Sequence, residues 1–156
     1  MEAQSLLLER IVSGGQTGVD RAALDTAIAL GLEHGGWCPL GRRAEDGAIP
    51  DCYQMTETDS VLYAVRTELN IVDSDATLIL AAGPLHGGTE LTRRFARRYQ
   101  RPYLVVDLQN DPEPQRVRAW LEQHAIRTLN IAGPRESTAP GITPIVAKFL
   151  RELLSG

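Results

Sequence analysis

Short apolar runs alternate along this chain with longer segments whose apolar positions recur at three- and four-residue spacing. The runs Arg10–Ser13, Thr77–Ala82, Pro102–Asp107 and Arg127–Ala132 predict strands. Leu32–Pro39 predicts another, ending near Cys38, with Pro39 closing it. Behind the first run, Val19, Ala22, Ala23, Leu24, Ala27, Ile28 and Leu30 predict a helix from Gln16 or Thr17 to the stop at Gly31. Its apolar positions lie nearly all round, so it should be well covered. Asp59–Ile71 predicts a second helix with an apolar stripe of Val61, Leu62, Val65 and Leu69. Its opposite face carries Tyr63, Arg66, Thr67 and Asn70, a set that suits either solvent or a crevice. Glu90–Tyr99 predicts a helix buried along Leu91, Phe95 and Tyr99. A fourth opens at Asp111-Pro-Glu-Pro-Gln115, with Val117, Trp120, Leu121 and His124 inward. The last starts at Thr143 and Pro144, with Ile145, Val146, Phe149, Leu150 and Leu153 inward. Gln4–Glu9 reads as a lead-in to the first strand.

Regular alternation of strand and helix predicts an α/β fold, a three-layer sandwich around a mainly parallel sheet with right-handed crossovers. In such a sheet all strand-to-helix turns lie at the carboxyl edge, where ligands bind. Three of these turns are rich in glycine: Gly14–Gly18, Gly83–Thr89 and Gly133–Gly141. A turn that leads from strand to helix directs free N–H groups and a positive dipole end at one spot, a ready site for phosphate. One such turn is equally well read as a tight connection, but three converging turns favour a ligand. The ligand-binding candidates are Gly14, Gly15, Gln16, Thr17 and Gly18 in the first turn. Gly83, His86, Gly87, Gly88 and Thr89 follow in the second, and Arg135, Glu136 and Ser137 in the third. Thr89 is also the expected N-cap of its helix. Asp20, in the first helical turn, suits the dipole or a ligand hydroxyl or cation.

Composition narrows the function classes. The 156 residues predict a single domain over 1–156, able to bury roughly 70% of its unfolded surface without disulfides. A net charge of −4 argues against a general nucleic-acid surface. The helix carrying Arg93, Arg94, Arg97 and Arg98 has no aromatics on its basic face, so its arginines serve the helix dipole. The two cysteines, Cys38 and Cys52, form neither a zinc pattern nor a disulfide framework, and fit a reduced, cytoplasmic setting. Met1–Arg10 has no basic start and does not read as a secretory signal. The apolar run Ala76–Ala82 is far shorter than the ~20 residues a bilayer needs. No residue set predicts a metal site. Residues 40–58 are the least regular part and fit either a lid or a solvated excursion.

The usual catalytic fingerprints are missing. Ser13-Gly-Gly-Gln-Thr-Gly-Val-Asp20 lacks the Gly-Lys-Ser/Thr ending of a Walker loop and the GxGxxG spacing of a dinucleotide turn. No Gly-x-Ser-x-Gly elbow occurs. Several stretches together resemble the molybdenum carrier family, the circularly permuted YpsA-like branch of the SLOG superfamily. They are Ile11-Val-Ser-Gly-Gly-Gln-Thr-Gly-Val-Asp-Arg-Ala22, Gly36-Trp-Cys-Pro39, Arg66-Thr-Glu-Leu-Asn70, Ser74-Asp-Ala-Thr-Leu78, Gly87-Gly-Thr89 and Asn130-Ile-Ala-Gly-Pro-Arg-Glu-Ser137. The resemblance runs from about residue 10 to the end. It implies a Rossmann-like sheet that binds nucleotide-like ligands and, for carrier members, the molybdenum cofactor, a pterin with a terminal phosphate. It also implies a homo-oligomer, a dimer or tetramer. The superfamily includes the Lonely-guy phosphoribohydrolases, with Pro-Gly-Gly-x-Gly-Thr-x-x-Glu. Here Gly87-Gly-Thr-Glu90 lacks a glycine, and the glutamate follows the threonine directly. Glu90 is the catalytic candidate only in this second reading, an N-glycosidase of nucleoside 5'-monophosphates; in the first the chain binds and does not catalyse.

Overall fold

The computed structural model describes residues 6–155, so Gln4 and Ser5 of the expected lead-in, and half of Met1–Arg10, lie outside the described residues. β1 (Arg10–Val12) leads into α1 (Val19–Leu30), whose N-cap is Gly18 at φ 80° and whose end is Gly31 in the left-handed region at φ 74°. Both conformations favour glycine. The helix starts later than expected because the glycine turn runs to Gly18.

The single strand expected at 32–39 is two, β2 (Glu33–Gly35) and β3 (Trp37–Cys38). Gly36 breaks it at φ 126°, where a Cβ would lie 2.3 Å from the Ser13 carbonyl oxygen. A 3-10 turn (Leu40–Arg42) and the short strands β4 (Arg43–Ala44), β5 (Gly47–Ala48) and β6 (Thr56–Glu57) follow. β4 and β5 form a hairpin, and β6 pairs parallel with β3. Then come α2 (Tyr63–Val72), β7 (Ala76–Ala81), α3 (Gly87–Arg98), β8 (Tyr103–Asp107), α4 (Pro114–Gln123), β9 (Thr128–Ala132) and α5 (Ile142–Ser155).

The main sheet has the order β2-β1-β9-β7-β8, and every neighbouring pair is parallel. This is the Rossmann-like α/β arrangement that the alternation predicts. All six residues of β7 are buried, as a strand covered on both faces must be. Period-two alternation divides the sheet. Ile11, Leu78, Leu80, Leu129 and Ile131 join the main core with Ala23 and Ala27 of α1, Val117 and Leu121 of α4, and Val146 and Leu150 of α5. The alternate positions are more polar, and Asn130 donates from Nδ2 to Thr77 Oγ1 at 3.3 Å. α2 and α3 pack against each other apart from that core.

Two helix orientations, those of α2 and α3, depart from expectation for one reason: apolar spacing does not say which stripe is covered. α5 keeps Val146, Phe149, Leu150 and Leu153 inward as expected. In α2 the buried residues are Thr67, Asn70 and Ile71, whereas Val61 and Leu62 precede the helix at 50% and 61% exposure. The polar face is the inward one. In α3, which begins at Gly87 rather than Glu90, Thr92 and Ala96 are buried, Leu91 and Phe95 only in part, and Tyr99 is exposed. In α5, which begins at Ile142 rather than Thr143, Ile142 is buried and Ile145 is 52% exposed. In α4, Val117 and Leu121 face in as expected, while His124 is exposed and meets Trp120 edge-on. No helix among the described residues is long and apolar enough to cross a membrane.

Asn70 anchors the reversed face of α2. It accepts from the Trp37 N–H at 2.8 Å and donates to the Trp37 carbonyl at 3.1 Å. Asn70→Ala should therefore cost about 1–3 kcal/mol by leaving buried backbone groups unpaired. Val61→Ser should stay within about 0.5 kcal/mol, as exposed substitutions do. Urea unfolding of the two variants checks this; a larger loss for Val61→Ser would restore the apolar-inward helix.

Candidate functional site

The carboxyl ends of β1, β9 and β7 stand side by side, so the three glycine turns do meet at one edge of the sheet. They do not contribute equally to the cavity of about 340 Å³ found there. Gln16, His86, Gly87, Gly88, Thr89 and Arg135 line it; Gly14, Gly15, Thr17, Gly18, Gly83, Glu136 and Ser137 do not.

The first turn is shaped by its own protein neighbours. A Cβ on Gly14 would lie 2.1 Å from Arg66 Nη1, one on Gly15 2.7 Å from Ile49 Cδ1, and one on Gly18 2.5 Å from the Pro134 carbonyl oxygen. Ser13 Oγ donates to the Asp20 carbonyl at 2.9 Å and accepts from the Gly15 N–H at 3.3 Å. Gln16 spans to the hairpin, with Nε2 donating to the Arg43 carbonyl at 2.9 Å and Oε1 accepting from the Glu45 N–H at 3.2 Å. The Thr17 hydroxyl donates to Glu45 and accepts from the Glu136 N–H at 3.2 Å. Ser137 Oγ donates to the same Glu45 carboxylate at 2.5 Å. Glu136 folds back on α5, accepting from the Gly141 N–H at 2.5 Å and the Thr143 hydroxyl at 2.6 Å. Thr17, Glu136 and Ser137 thus fasten the first and third turns together.

In the second turn His86 is the extended residue before α3, and Gly87, Gly88 and Thr89 form the helix's first turn. Thr89 is inside the helix and so does not cap it. The leading N–H groups of a helix have no intrahelical acceptor, and here they border the cavity. Nothing lies within 4 Å of where a Cβ on Gly88 would project. Gly83 stands earlier in the turn, its N–H donating to Asp107 Oδ1 at 3.2 Å. Glu90 does not line the cavity. Its carboxylate accepts from Arg93 Nε at 3.0 Å and from Arg93 Nη2 at 2.5 Å, with Arg94 Nε 3.5 Å away. Arg93 is the main cause that holds its pKa below the ordinary glutamate range.

The polar face of α2 supplies what the three turns lack. Tyr63, Arg66 and Thr67 line the cavity together with Asp20. Arg66 is largely buried, at 13% side-chain exposure, with Nη1 3.8 Å from Asp20 Oδ2. Its Nε is buried and has no hydrogen-bond partner among the described residues. Asp20 Oδ2 also accepts from the Gln16 N–H at 3.2 Å. Burial pushes the Asp20 carboxyl above its ordinary value, against the opposing pull of Arg66. Around the Tyr63 ring lie the guanidinium carbons of Arg135 at 4.4 Å, Arg43 at 4.6 Å and Arg66 at 5.7 Å. Cation–π attraction holds such a cluster, yet three like charges around one ring attract anions. The sequence signal for this face was the i, i+3, i+4 set Tyr63, Arg66 and Thr67, which suited solvent equally well until α2 was seen to turn it inward.

Residues 40–58 do not line the cavity. Ala44, Ile49 and Tyr53 are buried against Leu24 and Cys38 as a second small core. The segment is fixed by Arg21 Nη1 to Asp46 Oδ2 at 2.6 Å and by the Tyr53 hydroxyl donating to Asp25 Oδ1 at 2.6 Å. Among the described residues no group of three or more His, Cys, Asp or Glu side chains is placed to hold a metal ion.

Comparison with known proteins shows the family and a matching fold. Residues 11–154 match the model of the circularly permutated YpsA SLOG family. A solved structure, titled "Crystal structure of Putative molybdenum carrier protein" from Syntrophus aciditrophicus SB, is 42% identical. The match covers 97% of each chain at a TM-score of 0.91. No curated protein matches the chain.

The fastening carboxylates make an acid-stability prediction. Thr143 first, then the Gly141 N–H, hold the Glu136 carboxyl below the ordinary glutamate value of 4.5. A carboxyl depressed on folding adds stability that is full above its unfolded value and is lost as pH falls through its folded value. Stability should therefore decline below about pH 4.5, and Glu136→Gln should flatten that decline. Chemical denaturation between pH 7 and pH 3 tests it; an unchanged acid slope would show that Glu136 fastens nothing.

Proposed function

The chain belongs to the circularly permutated YpsA SLOG family, and we propose that it binds or carries a phosphate-bearing small molecule at the Arg66–Arg135 cavity. The carried ligand in this reading is the molybdenum cofactor, a pterin with a terminal phosphate, or a nucleotide-like relative of it. The observation that carries the proposal is the Arg66 guanidinium, buried, without a hydrogen bond at Nε, in the same cavity as the first turn of α3. The name of the Syntrophus aciditrophicus protein, a molybdenum carrier, supports the choice of ligand.

Arg66 and Arg135 would take the phosphate oxygens as paired N–H donors, a geometry that suits guanidinium. The N–H groups of Gly87, Gly88 and Thr89 and the Thr89 hydroxyl would complete the cradle. Hydrogen bonds to a charged group contribute ~1.5–3 kcal/mol each. Three or so of them supply much of the roughly 8 kcal/mol of a micromolar site. Thr17, Glu136 and Ser137 keep the turns in register in this reading and do not touch the ligand. The phosphoribohydrolase reading is set aside because it needs Glu90 at the substrate, and Arg93 and Arg94 engage that carboxylate outside the cavity lining.

Gly88→Val should abolish binding of a nucleoside monophosphate or of the molybdenum cofactor while the circular dichroism spectrum stays unchanged, since its Cβ projects into open space. Glu90→Gln should leave binding nearly unchanged. Release of free base by the wild-type protein, lost in Glu90→Gln, would replace the carrier reading with the glycosidase. Self-association is part of the proposal, because Ile28 and Leu30 of α1 are exposed at 45% and 37%. Light scattering at micromolar concentration should give a dimer or tetramer, and a monomer alone would count against it.

A further inference from the structure

We infer that the site has a second, apolar lobe that receives the ring system of the same phosphate-bearing ligand; this rests on the phosphate reading above. The lobe is a cavity of about 310 Å³ lined by Leu108, Pro140, Ile142 and Ile145, with Gln109 as a polar edge. It shares Ala82, Thr138 and Ala139 with the cavity that holds Arg66 and Arg135. The two therefore adjoin across these residues, beyond the carboxyl end of β7 and along the third turn.

Their chemistry differs in the way a two-ended ligand requires. The larger cavity carries the guanidinium groups and the start of α3, whereas no charged side chain lines the smaller one. Tyr63 offers the larger cavity an aromatic ring, but Arg43 and Arg135 already lie over it at 4.6 and 4.4 Å. A ligand ring does better against the apolar wall across the junction. Two of the three residues between them, Ala82 and Ala139, are small. Ala82 is followed by Gly83 at φ 86°, where even an added Cβ would meet only Gln109 Oε1 at 3.8 Å. The lobe also accounts for Ile145, an apolar residue left 52% exposed on α5 while its neighbour Val146 is fully buried. Burying such a side chain under a flat ring removes apolar surface from water, and Gln109 supplies one amide for the ring's polar edge.

Ribose 5-phosphate and guanosine 5'-monophosphate differ only in the ring, so they separate the two lobes. Isothermal titration of wild type should show the nucleotide binding at least tenfold more tightly than the ring-free phosphate. Ile145→Asp, at an exposed position, should remove that difference and leave ribose 5-phosphate affinity unchanged. Pro140→Asp, also exposed, should act in the same direction and guards against a local effect of one substitution. Equal affinity of the two probes, or an equal loss for both in Ile145→Asp, overturns the lobe while leaving the phosphate site standing. Failure of both probes to bind wild type overturns the phosphate reading, and the lobe with it.

Discussion

Arg66 lies inside the protein with its guanidinium 3.8 Å from the Asp20 carboxylate, and the rest of the site follows from keeping that charge there. Moving an ion out of water costs several kcal/mol unless partners balance it. Asp20 balances the charge but is too far to accept a hydrogen bond. Gly14 must lack a side chain because the guanidinium occupies the space a Cβ would need. The Tyr63 ring attracts the three guanidinium groups without neutralising their charge. The cluster is held together and keeps its positive charge, which is what an anion would meet in the proposed reading.

A receptor of the proposed kind needs its parts to stay in place, and the carboxyl edge is fastened by side chains from three segments. Glu45 accepts from both Thr17 and Ser137, so one carboxylate of the hairpin holds the turns after β1 and β9. Glu136 closes the start of α5 from within the third turn. Behind the first turn, residues 40–58 form a small packed core around Ile49 and Tyr53. Preorganisation of this sort lowers the ordering cost of binding. It also explains why several turn residues that look like ligand contacts are engaged with one another instead.

The parallel sheet and its turns were legible because the fully buried strand Ala76–Ala81 leaves a nearly unbroken apolar run, and β1, β7 and β9 are each followed by glycine and a helix. The convergence of the turns followed from topology alone. Helix facing was less legible. Val61 and Leu62 suggested an apolar stripe, but α2 packs against α3 and β3, where Asn70 pairs with the Trp37 backbone, and its polar face is the inward one. The same reversal decided between solvent and crevice for Arg66 and Tyr63, which line the cavity. Among the turn residues, sequence cannot separate a glycine that faces open space, such as Gly88, from one that admits a neighbouring side chain, such as Gly14. Both read as freedom from a Cβ, and only the three-dimensional neighbour distinguishes them.

The central claim is that the anion goes to Arg66. The most direct measurement is a crystal structure of the protein with guanosine 5'-monophosphate bound. The phosphate should lie within hydrogen-bonding reach of the Arg66 guanidinium and of the N–H groups at the start of α3. A phosphate bound away from Arg66, with the guanidinium still beside Asp20 and its Nε unpaired, would contradict the account.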